Sequence, residues 1–146
     1  MIDHPATRNR IGQWATFLYD MHGELTWAIA AGFANPGPKD PGYNGTDGWD
    51  QQYLGGANGE GTLLYPGRPD KIGGQTHIPV GSLRLLMIRE GQEDYEWLAA
   101  AARVVGRDRV VELMAPVITS ASNFTTDPAV IWDTREKLAQ LAAGAG

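Results

Sequence analysis

Apolar positions recur at helical spacing in four stretches of this chain and at strand spacing in two. Over residues 6–20, Ile11, Trp14, Ala15, Phe17 and Leu18 mark one face of a helix, and Gly23 punctuates the chain after its last turn. Glu24-Leu-Thr-Trp-Ala-Ile-Ala30 is nearly continuously apolar and predicts a strand buried on both faces. Thr62-Leu-Leu-Tyr65 predicts a second short strand, entered through the Asn58-Gly59 turn. Residues 66–79 read as irregular. Ser82 is then a good N-cap for a helix in which Leu83, Met87, Leu98, Ala101 and Val105 can share one side, with Gly91 marking a bend or a close helix contact. Val110, Val111, Met114, Val117 and Ile118 extend a helical period that Pro116 should kink or end. Asp127-Pro128 caps a terminal helix carried by Ile131, Thr134, Leu138 and Leu141.

Residues 31–59 break this pattern. The segment holds Pro36, Pro38 and Pro41 among many glycines, with Tyr43, Trp49 and Tyr53 set between them. A connection of this length in a compact domain is functional or disordered, and its aromatics favour function, because disordered linkers are poor in them. The strand–loop–helix order of residues 60–98 predicts a βα step of a parallel α/β architecture. Two strands cannot form a stable sheet buried on both faces, so the pattern points to part of a larger fold.

Composition narrows the possible functions. A chain of 146 residues has room for one domain with a core, and a net charge of −5 argues against a nucleic-acid phosphate track. No Lys/Arg cluster suggests an anionic membrane surface, and no apolar run approaches the ~20 residues of a spanning helix. The start, Met1-Ile-Asp-His-Pro5, lacks the features of a signal peptide, so the chain is expected to be soluble and to carry no address. With no cysteine there is no disulfide, no thiolate ligand and no indication of compartment. His4, His22 and His77 are widely spaced and form no ligand motif, so neither a metal nor another cofactor is expected.

Several segments then align with a known family. Ile2-Asp-His-Pro, the helix with Trp14 and Tyr19, Gly23-Glu-Leu-Thr-Trp-Ala-Ile, Glu60-Gly-Thr-Leu-Leu-Tyr-Pro-Gly67 and Ser82-Leu-Arg84 occur in family order. They are followed by Ile88-Arg-Glu-Gly-Gln-Glu-Asp-Tyr-Glu-Trp-Leu98, the most specific of these motifs. Together they resemble the C-terminal part of the glycoside hydrolase family 123 catalytic domain, also known as domain of unknown function 4091. The resemblance covers residues 2–98.

The resemblance implies an α/β fold: the C-terminal fragment of a (β/α)8-type barrel, with two to three strands and four or five helices. A complete barrel takes ~250 residues, with ~200 as a lower limit. On that map Ile2-Asp3 ends a sixth strand, residues 24–30 are the seventh, Thr62 to Tyr65 the eighth, and the helix from Ser82 closes the ring. Residues 1–106 would then be the last βα units, and residues 107–146 a helical tail packed on the barrel. The implied activity is retaining hydrolysis of N-acetylhexosamine linkages assisted by the substrate's acetamido group. It depends on an adjacent Asp-Glu pair that lies earlier in the barrel and does not occur here in that order. The chain alone is therefore expected to be inactive and to supply pocket wall and barrel closure.

Glu93-Asp94 does not replace that pair: it is reversed in order, and neighbours on a helix point about 100° apart. Arg84, Arg89, Glu90, Glu93 and Asp94 are read instead as structural ion pairs. Arg89–Glu93 falls at i,i+4, and the like-charged Glu90–Asp94 pair requires Arg84 or another arginine nearby. The candidate substrate-binding residues are Trp27, near the end of the implied seventh strand, Trp49, Tyr53 and Tyr43 on the long loop, and Asp3 after the sixth strand. The expected partners are a carbohydrate substrate and the rest of a parent barrel, without nucleic acid or membrane. An isolated fragment with open sheet edges could also self-associate. The competing readings are a non-catalytic carbohydrate-binding or structural module, and a helical interaction domain in which the strands are minor.

Overall fold

The computed structural model describes residues 2–26, 28–30, 49, 53–54 and 57–144, with only the backbone described for Tyr53, Leu54 and Ala57. The chain is a mixed α/β structure. A 3-10 turn, Ala6–Arg10, leads into α1 (Ile11–Leu18), and the short strands β1 (Tyr53–Leu54) and β2 (Ala57–Asn58) come next in the described chain. They are followed by β3 (Leu64–Gly67), α2 (Pro69–Ile72), β4 (Ile78–Gly81) and the long helix α3 (Leu83–Val105). The C-terminal elements are α4 (Arg107–Leu113), β5 (Ile118–Ser120), β6 (Asn123–Phe124) and α5 (Pro128–Ala142). The chain divides into two compact units: unit 1 is Met1–His4 with Leu25–Leu86, and unit 2 is Pro5–Glu24 with Met87–Gly146.

In unit 1 the strand pairings among the described residues are antiparallel, in contrast to the parallel step expected from the sequence. β1 pairs with β2, and β3 pairs with β4 in the register Leu64↔Gly81 to Gly67↔Ile78. β4 is hidden in the sequence pattern because Pro66, Pro79 and the neighbouring glycines signal irregular chain. In this two-stranded ribbon the prolines face each other, Pro66↔Pro79, where neither has an N–H to leave unpaired. Gly67 is required at its place: a Cβ there would meet the Ile78 carbonyl oxygen and, at 2.8 Å, the Ile72 side chain.

The strand expected at residues 24–30 is reduced to one antiparallel bridge, Ala30↔Thr62. The Ile29 carbonyl accepts from the N–H groups of Leu63 (2.8 Å) and Leu64 (3.0 Å). Among the described residues of this run, two that the sequence would bury are open: Leu25 is 87% exposed and Ile29 48% exposed. An apolar run becomes a buried strand only when neighbouring strands supply the ladder and the cover.

Unit 2 holds the main core. Ile11, Trp14 and Phe17 of α1, Leu98 and Ala101 of α3, and Val110 and Met114 cluster with Val117, Ile118, Ile131 and Leu138. The expected face of α1 is thus realised, with Ala15 and Leu18 packed at its margin. On α3, Leu98 and Ala101 are buried as expected, whereas Leu83 is exposed at the first turn. Arg107 closes the end of α1 by donating to the Phe17 (2.9 Å) and Leu18 (3.0 Å) carbonyls, the first of which also accepts from the Asp20 N–H at 3.2 Å.

Val117 and Ile118 were expected to continue a helix, but they lie at the start of an antiparallel hairpin, Ile118↔Phe124 and Ser120↔Asn123. α4 ends before Pro116, and the Met114 carbonyl accepts from Val117 (2.9 Å) and Ile118 (3.0 Å) to close the turn. The β-branched run Val117-Ile118-Thr119 then extends. Both expected helix caps are present. Ser82 Oγ accepts from the Leu85 N–H at 3.2 Å, and Asp127 Oδ1 accepts from the Ala129 N–H at 2.9 Å.

Candidate functional site

Unit 1 is organised around Arg84. The first turn of α3 starts at Ser82, whose N–H donates to the Leu63 carbonyl at 2.9 Å and thereby ties the helix start to the strand. From that turn Arg84 Nη2 donates to the Thr62 carbonyl and, at 3.2 Å, to the Tyr65 hydroxyl. Gly59, at φ +75°, lies over the guanidinium: a Cβ there would sit 3.0 Å from Arg84 Cζ and 2.8 Å from Ile2 Cγ1. The Ile2 N–H donates to the Asn58 carbonyl at 3.0 Å, which fixes the beginning of the chain on the same turn.

Arg84 is buried, and among the described residues it meets no carboxylate. Its Nε and the Thr62 Oγ1 are buried without a hydrogen-bond partner. A buried guanidinium without a counter-charge keeps most of its desolvation cost, so among the described residues this centre is incompletely neutralised.

Two of the sequence-predicted site residues are described in contact with this unit. Trp49 Nε1 donates to the Pro66 carbonyl at 2.7 Å, and its ring lies 5.0 Å from that of Tyr65, tilted by 39°. An indole is thus held beside the strand end that carries Tyr65. Asp3 is exposed, and its Oδ1 accepts from Asn58 Nδ2 at 3.1 Å. Tyr53 is described only as a backbone position of β1, while Trp27 and Tyr43 lie outside the described residues.

Of the acids of α3, Glu90, Glu93 and Asp94 lie in unit 2 and have structural partners. Asp94 is fully buried: Arg10 donates to it through Nε and, at 2.6 Å, through Nη2, and Trp14 Nε1 donates at 2.8 Å. Arg135 reaches Glu93 at 3.0 Å, Glu90 at 3.3 Å and Asp94 at 3.6 Å, while Arg89 spans Glu90 (3.2 Å) and Glu93 (3.8 Å). Burial pushes the Glu90 carboxyl up, but hydrogen bonds from Arg89 and Arg135 and the charges of Arg135 and Arg10 outweigh it, and its pKa is lowered.

The like-charged pair is therefore neutralised by Arg10 and Arg135; Arg84 is engaged in unit 1. Sequence reasoning did not find Arg10. Its one signal is the i,i+4 spacing to Trp14, which puts both on the face turned toward Asp94.

Unit 2 also carries an open groove of about 540 Å³ whose lining includes Gln13, His22, Glu24, Arg89, Glu93 and Glu96. Gln13 Nε2 donates to Glu24 at 2.6 Å. Among the described residues no three His, Asp or Glu side chains are placed to hold a metal ion, and no helix is long and apolar enough to cross a membrane. Neither a protein-family model nor a curated protein matches this chain.

Proposed function

We propose that this chain is the C-terminal segment of a family 123-like glycoside hydrolase barrel acting on N-acetylhexosamine-containing glycans. It would form pocket wall and close the barrel, and an upstream Asp-Glu pair would supply the acid chemistry. The observation that carries this reading is the convergence at Arg84. Ile2, the turn at Asn58-Gly59, Thr62, Tyr65 and Ser82 belong to or adjoin three separated stretches on which the resemblance rests, and they meet around one guanidinium. A centre with a buried cation and no acid among the described residues suits a segment whose remaining partners come from other strands. The exposed Leu25 and Ile29 on a run with strand character support the same view.

In this reading the Trp49–Tyr65 pair is the part of the described segment that touches sugar. The indole is fixed by its N–H to the Pro66 carbonyl beside the Tyr65 ring, and an aromatic of this kind suits the apolar face of a pyranose. Asp3 and Arg84 serve as frame. Glu90, Glu93 and Asp94 have no part in cleavage, because each is paired within unit 2.

The test expresses the chain together with the ~200 residues preceding it in its reading frame, a length set by barrel size. Hydrolysis of an aryl N-acetylgalactosaminide is expected, to be lost on replacing an adjacent Asp-Glu pair upstream and reduced by Trp49→Ala. Turnover by the present chain alone, or absence of such a pair upstream, would overturn the assignment.

A further inference from the structure

Trp97 on α3 and Trp132 on α5 flank an open groove of about 370 Å³ in unit 2, completed by Asp133, Arg135, Glu136 and Ala139. The two indoles are 36% and 51% exposed. Among the described residues neither indole N–H donates to a protein acceptor. A buried tryptophan removes a large apolar area from water, so two left open on one groove mark a surface that a ligand can cover.

The charges around the groove select the ligand. Arg10 Cζ lies 4.7 Å and Arg135 Cζ 5.0 Å from the centre of the Trp132 ring. Two guanidiniums already use the negative potential of that ring, which disfavours an ammonium ligand. Arg135 is committed to Glu90 and Glu93, whereas Asp133 and Glu136 make no hydrogen bond or ion pair among the described residues. Those two carboxylates repel an anion and stand ready to accept from hydroxyl groups.

The parts of the two indoles that remain exposed, bordered by the Asp133 and Glu136 acceptors, match a molecule with C–H faces and hydroxyl donors at its edge. The groove has only six lining residues, against the roughly 20–30 residues a side of a stable protein interface. Its volume is at the small end of ligand sites, which run from ~300 to ~1,000 Å³. We propose that the Trp97–Trp132 groove binds a neutral oligosaccharide. The proposal does not rest on the barrel reading, since all of its residues belong to unit 2 and none is an aromatic of the long loop.

The test titrates the chain with cellobiose, maltotriose and N,N′-diacetylchitobiose and follows tryptophan fluorescence. At least one saccharide should saturate the signal, and Trp97→Ala and Trp132→Ala should each weaken binding by about ten-fold. Because Trp132 also packs against Arg10 and Arg135, the double variant Asp133→Asn/Glu136→Gln provides a second arm. It alters only exposed side chains and should weaken binding while leaving the thermal unfolding transition in place. Trp49→Ala should leave this response intact.

Unchanged affinity in the double variant, or no saturation by any of the three sugars, would overturn the proposal. So would saturation by choline alone, or a concentration-dependent dimer that Trp132→Ala abolishes. Loss of the response in Trp49→Ala with retention in both groove variants would overturn it too, while leaving the barrel reading standing.

Discussion

Arg10 and Asp94 form a two-point ion pair inside unit 2, with Trp14 Nε1 donating to the same carboxylate at 2.8 Å. Neither partner is open to water: Arg10 is 2% exposed and Asp94 0%. The pair joins the end of the 3-10 turn to the middle of α3, and its strength lies in its completeness, because each charge would be costly alone. Asp94→Ala leaves Arg10 buried without its carboxylate and is expected to lower the unfolding free energy by about 3–5 kcal/mol. Arg89→Ala, which breaks a pair whose arginine is 63% exposed, should cost under about 0.5 kcal/mol. Urea denaturation of both variants checks this contrast. Equal losses would show that Asp94 is not the uniquely buried member of the acidic set.

Glu90 makes the same helix sensitive to acid. Burial raises its pKa, but the hydrogen bonds from Arg89 and Arg135 and the charges of Arg135 and Arg10 leave it below the ordinary value of 4.5. A carboxyl whose folded pKa is depressed gives its full stabilisation above the unfolded value and loses it as pH falls through the folded one. The stability advantage of the native chain over Glu90→Gln should therefore be flat above about pH 5.5 and shrink steadily below about pH 4.5. Thermal unfolding of both proteins across that range measures it. An advantage that grows on acidification would contradict the assigned sign.

Gly91 sits inside α3, where helix propensity alone favours alanine by about 1 kcal/mol. Packing reverses that preference. A Cβ at this position would meet the Gln13 side-chain oxygen and, at 2.7 Å, the Arg10 carbonyl oxygen. The first contact could move with the side chain; the second belongs to backbone. Gly91→Ala is expected to destabilise unit 2 by about 1–3 kcal/mol, the range for overpacking a close contact. A stabilised variant would show that the 3-10 turn and α1 can retreat from α3 without loss.

The sequence was legible where one residue settles a local choice. Ser82 and Asp127-Pro128 cap the helices they were expected to cap, and Gly91 lies at a close helix contact. The face of α1 and the terminal positions Ile131 and Leu138 follow from helical spacing alone. It was misread where pairing decides. Pro79 argues against a strand, yet in a two-stranded ribbon it faces Pro66, and among the described residues the run 24–30 finds one bridging neighbour, Thr62. At the site, the Arg89–Glu93 pair could be read from i,i+4 spacing, whereas Arg10 and Arg135 reach Glu90 and Asp94 from distant parts of the sequence. The Trp97–Trp132 groove was missed for the same reason, since it forms between two helices that no local pattern relates.

Arg84 provides the sharpest contrast with Arg10. Both guanidiniums are buried, but among the described residues Arg84 has only the Thr62 carbonyl and the Tyr65 hydroxyl, and its Nε has no partner. Replacing Arg84 with methionine leaves the Thr62 carbonyl without this donor, a cost of about 1–3 kcal/mol. It also removes a desolvated cation with no carboxylate beside it among the described residues, and replacing buried charges by packed apolar groups is neutral or stabilising by about 1–4 kcal/mol. The two effects oppose each other, so Arg84→Met should leave the stability of the present chain within about 1 kcal/mol of wild type or raise it. In the longer polypeptide proposed above, an acid from another strand would neutralise Arg84, and the same substitution should cost about 3–5 kcal/mol by stranding that acid. Denaturation of both lengths separates the cases. A loss of more than about 2 kcal/mol in the short chain would show that Arg84 is already compensated there, and would remove the main physical argument that this segment completes a larger fold.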